Sequence, residues 1–208
     1  MDLAARSTRQ VSWGWILLII LPCLSCTKMS DSIEDRSVGM NGGFEHTQSG
    51  LPVNWLVGPP STTPTCDYDL IFDRTDFKEG RQSLRFLVRE CSQRGYGRAA
   101  VGIAKEYAAI PGESYAVSFW IKNEGSEYRV RVGGVGIKTG EYETVDSSDE
   151  SADSWKRVEY TYAMPQKYER IRFELSTFSP GSLWVDDIRI AHIDGESGTL
   201  RTVEPFYR

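Results

Sequence analysis

The chain has 208 residues, 12% of them aromatic, and a formal net charge of −5 with no basic block. That length suits one ordinary domain with a real core. The acidic balance excludes nucleic acid as a ligand, since phosphate recognition needs clustered Lys and Arg, and no solenoid or propeller repeat is present.

Residues 1–25 read as a signal peptide rather than as part of the fold. Arg6 and Arg9 give a positive start, and Val11 to Leu24 is an apolar run of 14 residues, interrupted by Ser12, Gly14 and Pro22. Such a run is too short for an ordinary transmembrane helix and right for export. It ends in Cys23-Leu24-Ser25-Cys26, which resembles a bacterial lipoprotein cleavage site, with Cys23 where Leu is usual. The expectation is lipidation at Cys26 and a place in the bacterial cell envelope, at the outer membrane or cell surface. The membrane is then touched through the lipid anchor only. Residues 26–40 are polar and aperiodic, and read as the tether.

From residue 41 short strand patterns alternate with turn signals. Gly58 to Pro64 holds three prolines, which excludes a central strand. Ser83 to Glu90 alternates, with Leu84, Phe86 and Val88 on one face and Arg85 and Arg89 on the other. Tyr115, Val117, Phe119 and Ile121 form the clearest core stripe, while Ser118, Trp120 and Lys122 point away. Tyr128 to Val132, Trp155 to Tyr162 and Arg170 to Leu175 continue the pattern, with Ile171, Phe173 and Leu175 inward. Strands at this spacing predict a sandwich or barrel. Residues 193–208 show no regular pattern and read as a tail.

Cys66 and Cys91 are the cysteines left after the export segment. In an exported chain two such residues predict one disulfide, here from the proline-rich loop to the end of the Leu84 strand. Motifs of catalysis are missing. Neither His46 nor His192 has zinc spacing around it. No Gly-x-Ser-x-Gly occurs. Gly133 to Gly140 fails both phosphate-loop patterns and reads as a glycine-rich bulge or hairpin. Asp146 to Asp153 carries four acids in eight residues and reads as a solvated loop.

The stretch Leu183 to Ile190 reads as a strand entered through Pro180-Gly181. Period 2 puts Asp186 on a face with Trp184, Ile188 and Ile190. A carboxylate on an apolar face is costly unless paired or bound to a cation. Either Asp186 meets backbone donors at the sheet rim, or a cation sits there. Asn41-Gly42-Gly43-Phe44-Glu45, at the other end of the folded region, offers a second carboxylate and carbonyls freed by glycine, the all-oxygen shell that calcium prefers.

Four stretches in this order are similar to the galactose-binding-like jelly rolls: Asn41 to Glu45, Gly80 to Phe86, Pro111 to Lys122 and Trp184 to Ile188. They most resemble carbohydrate-binding modules of the family four, nine and twenty-two type, over about residues 40–192. The resemblance implies an all-β jelly-roll sandwich over 41–192 that binds glycan without catalysis. It implies a structural Ca²⁺ held by Glu45, Asp186 and the Gly43 carbonyl. Asp187 is the alternative ligand if a bulge shifts the strand by one residue. Polysaccharide or oligosaccharide is the expected partner. Trp120, outward by its strand phase, is the candidate stacking platform, with Arg85, Arg172 and Glu174 of matching phase and Tyr96 in a nearby loop. Tyr68 and Trp155 are weaker candidates. The alternative is a structural or protein-binding adhesion module of the same fold, without a sugar site.

Overall fold

The structure is a computed structural model and describes residues 38–58, 66–92, 99–195 and 198–203. Its strands are β1 (Thr47–Gln48), β2 (Leu51–Pro52), β3 (Leu56–Val57), β4 (Cys66–Asp73), β5 (Ser83–Cys91), β6 (Val101–Ala108), β7 (Ser114–Glu124), β8 (Tyr128–Val135), β9 (Gly140–Ser148), β10 (Ala152–Ala163), β11 (Arg170–Thr177), β12 (Gly181–Ile193) and β13 (Leu200–Thr202). Among the described residues there is no α-helix, and so none long and apolar enough to cross a membrane.

Two antiparallel sheets make a jelly-roll β-sandwich. One sheet runs β10-β7-β12-β5-β4, with β13 added beside β12; the other runs β3-β6-β11-β8-β9. The alternating stripes of the sequence meet between them. Leu84, Phe86 and Val88, Tyr115 to Ile121 in alternation, and Ile171, Phe173 and Leu175 are all buried. Phe119 of β7 meets Phe173 of β11 edge-on at 5.6 Å, and Trp55 closes the cluster at 5.9 Å from Phe173. Fully burying side chains of this size stabilises by roughly 1.5–3 kcal/mol each. Trp55 also donates its indole N–H to the Asn41 carbonyl at 3.0 Å, which ties the entry segment to the core.

Several segments depart from the sequence reading. Asp146 to Asp153 is a solvated loop only at residues 149–151: its first residues end β9, and the Asp146 carboxylate accepts from the Tyr128 hydroxyl at 2.8 Å and from Lys156 at 2.6 Å. Burial, then that carboxylate, push the Tyr128 hydroxyl well above the usual phenol range. Gly133 to Gly140, by contrast, is a hairpin as read: it ends β8 and turns into β9, closed by Gly136 N–H donating to the Thr139 carbonyl at 2.8 Å. The segment after residue 193 is not a patternless tail, because β13 pairs with β12 and Val203 is buried against the core. The folded unit also begins before residue 41, with Met40 in the core.

The largest departure lies in β12. Leu183 and Val185 face the core, and Trp184 and Asp186 face outward, opposite Lys122 and Trp120 of β7. Asp187 then takes a left-handed backbone with φ of 50°. This bulge moves the phase by one residue, so Ile188 and Ile190 return to the core. Unbroken alternation had wrongly put Trp184 and Asp186 on the face of Ile188 and Ile190.

Cys66 and Cys91 are directly opposite in the β4–β5 register, with Cα atoms 4.1 Å apart, and are disulfide-bonded. Cys26, with residues 1–25 and most of the tether, lies outside the described residues, as does Tyr96.

Candidate functional site

The sandwich presents two outer faces, and they differ in chemistry. On the first sheet Trp184 stands in register between Lys122 and Arg85. Its ring is flanked by the Arg85 guanidinium at 4.5 Å and the Lys122 ammonium at 4.7 Å, contacts that exploit the negative ring face. The β4–β5 connection lies against this row. Trp184 donates to Asp73 at 2.9 Å, Trp155 donates to Asp76 at 2.6 Å, and Lys122 pairs with Asp76 at 3.0 Å. Burial pushes the Asp73 carboxyl up, but hydrogen bonds from Thr75, Trp184 and the Thr75 and Asp76 backbones outweigh it and hold the group at about 2.

Trp120 and Arg85 belong to this face. Trp120 is half-buried, with Lys78 at 4.9 Å and Arg157 at 5.4 Å from its ring. Arg85 stacks on Trp184 and donates to the Ser182 hydroxyl at 2.9 Å. Both are engaged by their own neighbours.

The residues expected to hold a metal, Glu45 and Asp186, each lie against the same connection. The Gly42 carbonyl accepts from Ile188 N–H at 3.1 Å, which seats the entry segment on β12. Gly42 must be glycine there, since a Cβ would lie 1.8 Å from the Ile188 carbonyl oxygen. A Cβ on Gly43 would stand 3.9 Å from Asp186 Oδ1 and 3.9 Å from Glu45 Cγ. Asp186 is fully buried, and accepts from Lys78 N–H at 2.7 Å, Glu79 N–H at 3.0 Å and Asp187 N–H at 2.7 Å. Glu45 accepts from Arg81 N–H at 2.7 Å and Gln82 N–H at 3.2 Å. Burial is the largest influence on Asp186, ahead of the hydrogen bonds that lower it, and pushes its carboxyl up to about 6. Asp187 has its own cation, Arg189, at 2.6 Å.

Among the described residues no group of three or more His, Cys, Asp or Glu stands together as a metal cluster. A pair of carboxylates beside a glycine backbone is a different donor set, and its hard oxygens suit Ca²⁺. The under-compensated buried Asp186 supports that fit.

The second sheet carries the other two predicted residues. Arg172 and Glu174 point outward from its central strand, β11, with Glu106 of β6 opposite Arg172 and Arg131 of β8 opposite Glu174. Glu106 pairs with Arg170 and, at 3.5 Å, with Arg172. Glu174 pairs with Arg131 and, at 3.4 Å, with Arg172. Beside this strip lies Tyr142 of β9, 37% exposed, with the Arg131 guanidinium 5.0 Å from its ring. Tyr142 sits opposite Gly133, where a Cβ would meet the ring at 2.6 Å, so the ring rests on bare backbone. Burial, modified by the charges of Arg172, Glu174, Glu106 and Arg131, raises the Tyr142 hydroxyl above its usual range.

Trp120 and Arg85 are thus on one side of the sandwich, and Arg172 and Glu174 on the other. The four do not share a site, against the sequence reading. An outward phase says only that a side chain leaves the core, not through which sheet. Tyr142 and Glu106 were missed because β9 and β6 were not recognised as strands, and Arg131 was passed over although its strand, β8, was read. The available signal was Glu141-Tyr142-Glu143, an aromatic among acids just after the glycine-rich hairpin.

The family described as carbohydrate binding domain matches residues 39–181 of the chain. Among curated proteins nothing matches it. Among solved structures it is similar to the CBM22-1 xylan-binding domain of Paenibacillus barcinonensis Xyn10C, at 15% identity over 74% of this chain and 93% of that one, with a TM-score of 0.51. It is also similar to TmCBM61 in complex with β-1,4-galactotriose, at 18% identity over 73% and 95% of the two chains, again with a TM-score of 0.51. Similarity extends to the CBM22-1-GH10 modules of Clostridium thermocellum xylanase 10B, at 17% identity over 67% of this chain but only 26% of that longer one, with a TM-score of 0.49. At these identities the likeness to solved structures is one of fold.

Proposed function

The chain belongs to the carbohydrate-binding domain family, and from that premise we propose that it is a non-catalytic glycan-binding module whose ligand lies on the outer face of the second sheet. The observation that carries the reading is Tyr142. Its part-exposed ring lies beside a strip of paired Arg and Glu side chains. Sugars need both elements. The C–H face of a pyranose stacks on an aromatic ring, while its hydroxyls take hydrogen bonds from flanking donors and acceptors.

The first sheet's outer face is assigned a supporting role. Its tryptophans are clamped by cations and by the β4–β5 connection. We further propose that Glu45, Asp186 and the Gly43 carbonyl hold a Ca²⁺, which would supply the positive charge that the buried Asp186 lacks and pin the entry segment to β12. Its role is stability, remote from the sugar. Lipidation at Cys26 would then hold the module at the bacterial cell envelope. That proposal is supported by the export segment in the sequence.

Xylan and β-1,4-linked galacto-oligosaccharide, named for two of the structural neighbours, are the first to screen. Residues 27–208, labelled and applied to a glycan array in millimolar Ca²⁺, should retain at least one polysaccharide class. The hits should then be confirmed by titration calorimetry and remain chemically intact on incubation. Retention of none overturns the glycan reading, and release of shortened products overturns the non-catalytic one.

A further inference from the structure

The second sheet's outer face has a charge imbalance. The chain carries a formal net charge of −5. Yet among the described residues the strip beside Tyr142 sets Arg131, Arg170 and Arg172 beside Glu106 and Glu174. Each glutamate is shared by two arginines, and the sharing is unequal. Arg170 grips Glu106 and also donates to the Gly136 carbonyl at 2.6 Å. Arg131 grips Glu174. Arg172, in the middle, is left with contacts of 3.5 Å and 3.4 Å. Charge-assisted N–H···O bonds run at roughly 2.7–2.9 Å, so neither contact is a full one. The 3.4 Å contact is made by the buried Arg172 Nε and falls short of a hydrogen bond.

We infer that the glycan held on this face is acidic, carrying a uronic-acid residue whose carboxylate pairs with Arg172. The inference rests on the glycan-binding reading and deepens it. The planar guanidinium fork is matched in geometry to a carboxylate. Only 14% of the Arg172 side chain is exposed, so the pairing would be screened less than at an open surface. A hexuronate carries its carboxylate on the ring edge. The ring can therefore lie over Tyr142 while that edge reaches the arginine strip. A neutral sugar offers only hydroxyls there and leaves the excess positive charge uncompensated.

The test compares each acidic oligosaccharide with its carboxyl-reduced form, which keeps backbone and linkage but loses the charge. Oligogalacturonate and glucuronoxylan fragments are titrated into residues 27–208 by calorimetry. For at least one of the two, the acidic form should bind about tenfold or more tightly than its reduced partner at low salt. That advantage should shrink as NaCl rises from about 20 to about 500 mM. Arg172→Gln should remove the advantage, bringing the acidic form and its reduced partner within about twofold of each other. Should that variant fail to fold, the salt response of the unaltered protein decides. Neutral forms bound as well as or better than the acidic ones would overturn the inference and leave the glycan reading standing. Binding of neither form, with an empty array, would overturn both.

Discussion

If the ligand lies on the second sheet, Tyr142→Ala should weaken it and Trp120→Ala should not. A tyrosine side chain buries on the order of 200 Å² when fully covered. Tyr142 is 37% exposed, leaving roughly 75 Å² for a sugar to cover. At about 25 cal/mol per Å² that is about 2 kcal/mol, or roughly a 25-fold loss of affinity. Trp120 is half-buried, and its ring meets Lys78 at 4.9 Å and Arg157 at 5.4 Å. Losing two such contacts costs on the order of 1–2 kcal/mol of stability and leaves the second sheet's outer face unaltered. The assay is calorimetric titration of both variants with the best array ligand, alongside thermal melts. A Trp120→Ala protein that melts normally and no longer binds, beside a Tyr142→Ala protein that binds as before, would refute the assignment and return the site to the first sheet.

Three further outcomes are expected. Asp73 has a folded value of about 2 against an ordinary 3.8, so its stabilisation is fully present above 3.8 and is lost as pH falls through about 2. Allowing for solvent at this part-exposed group, that is on the order of 1–2 kcal/mol. The stability gap between the unaltered protein and Asp73→Asn, measured by urea melts, should therefore shrink between pH 4 and pH 2, and a constant gap would contradict it. Calcium at a hundredfold excess over Kd stabilises by about 2.7 kcal/mol, or roughly 5–10 °C for a domain of this size. A chelator should lower the melting temperature, added Ca²⁺ should restore it, and Asp186→Ala should erase the difference; identical melts with no metal by elemental analysis would sink the site. Cys26→Ser should move the protein out of the membrane fraction, and unchanged fractionation would contradict the anchor.

Part of what could be read from the sequence follows from where each strand lies, although interior β6 was missed and edge β10 was read. β5, β7 and β11 are interior strands with one face in the core, so an apolar stripe at period 2 is obligatory and visible. β4 and β9 end their sheets, and their sequences carry three aspartates in one case and two glutamates and an aspartate in the other. Charge on an edge discourages pairing with another chain, and it also dilutes the stripe that announces a strand. Losing β9 meant losing Tyr142. Strand order is equally hidden, because it depends on pairings between distant residues. Thus Trp120 and Arg172 share an outward phase and leave the core through different sheets. The Asp186-Asp187 pair shows the finer limit. Asp tolerates a left-handed backbone better than most residues, and at Asp187 that single dihedral reverses the phase of β12. Asp186 consequently stands on the outer side of its sheet, facing the Lys78 and Glu79 amides. The sequence read a charge in need of compensation at Asp186 for the wrong reason: the residue is buried by the chain folded over the sheet, not by the apolar core beneath.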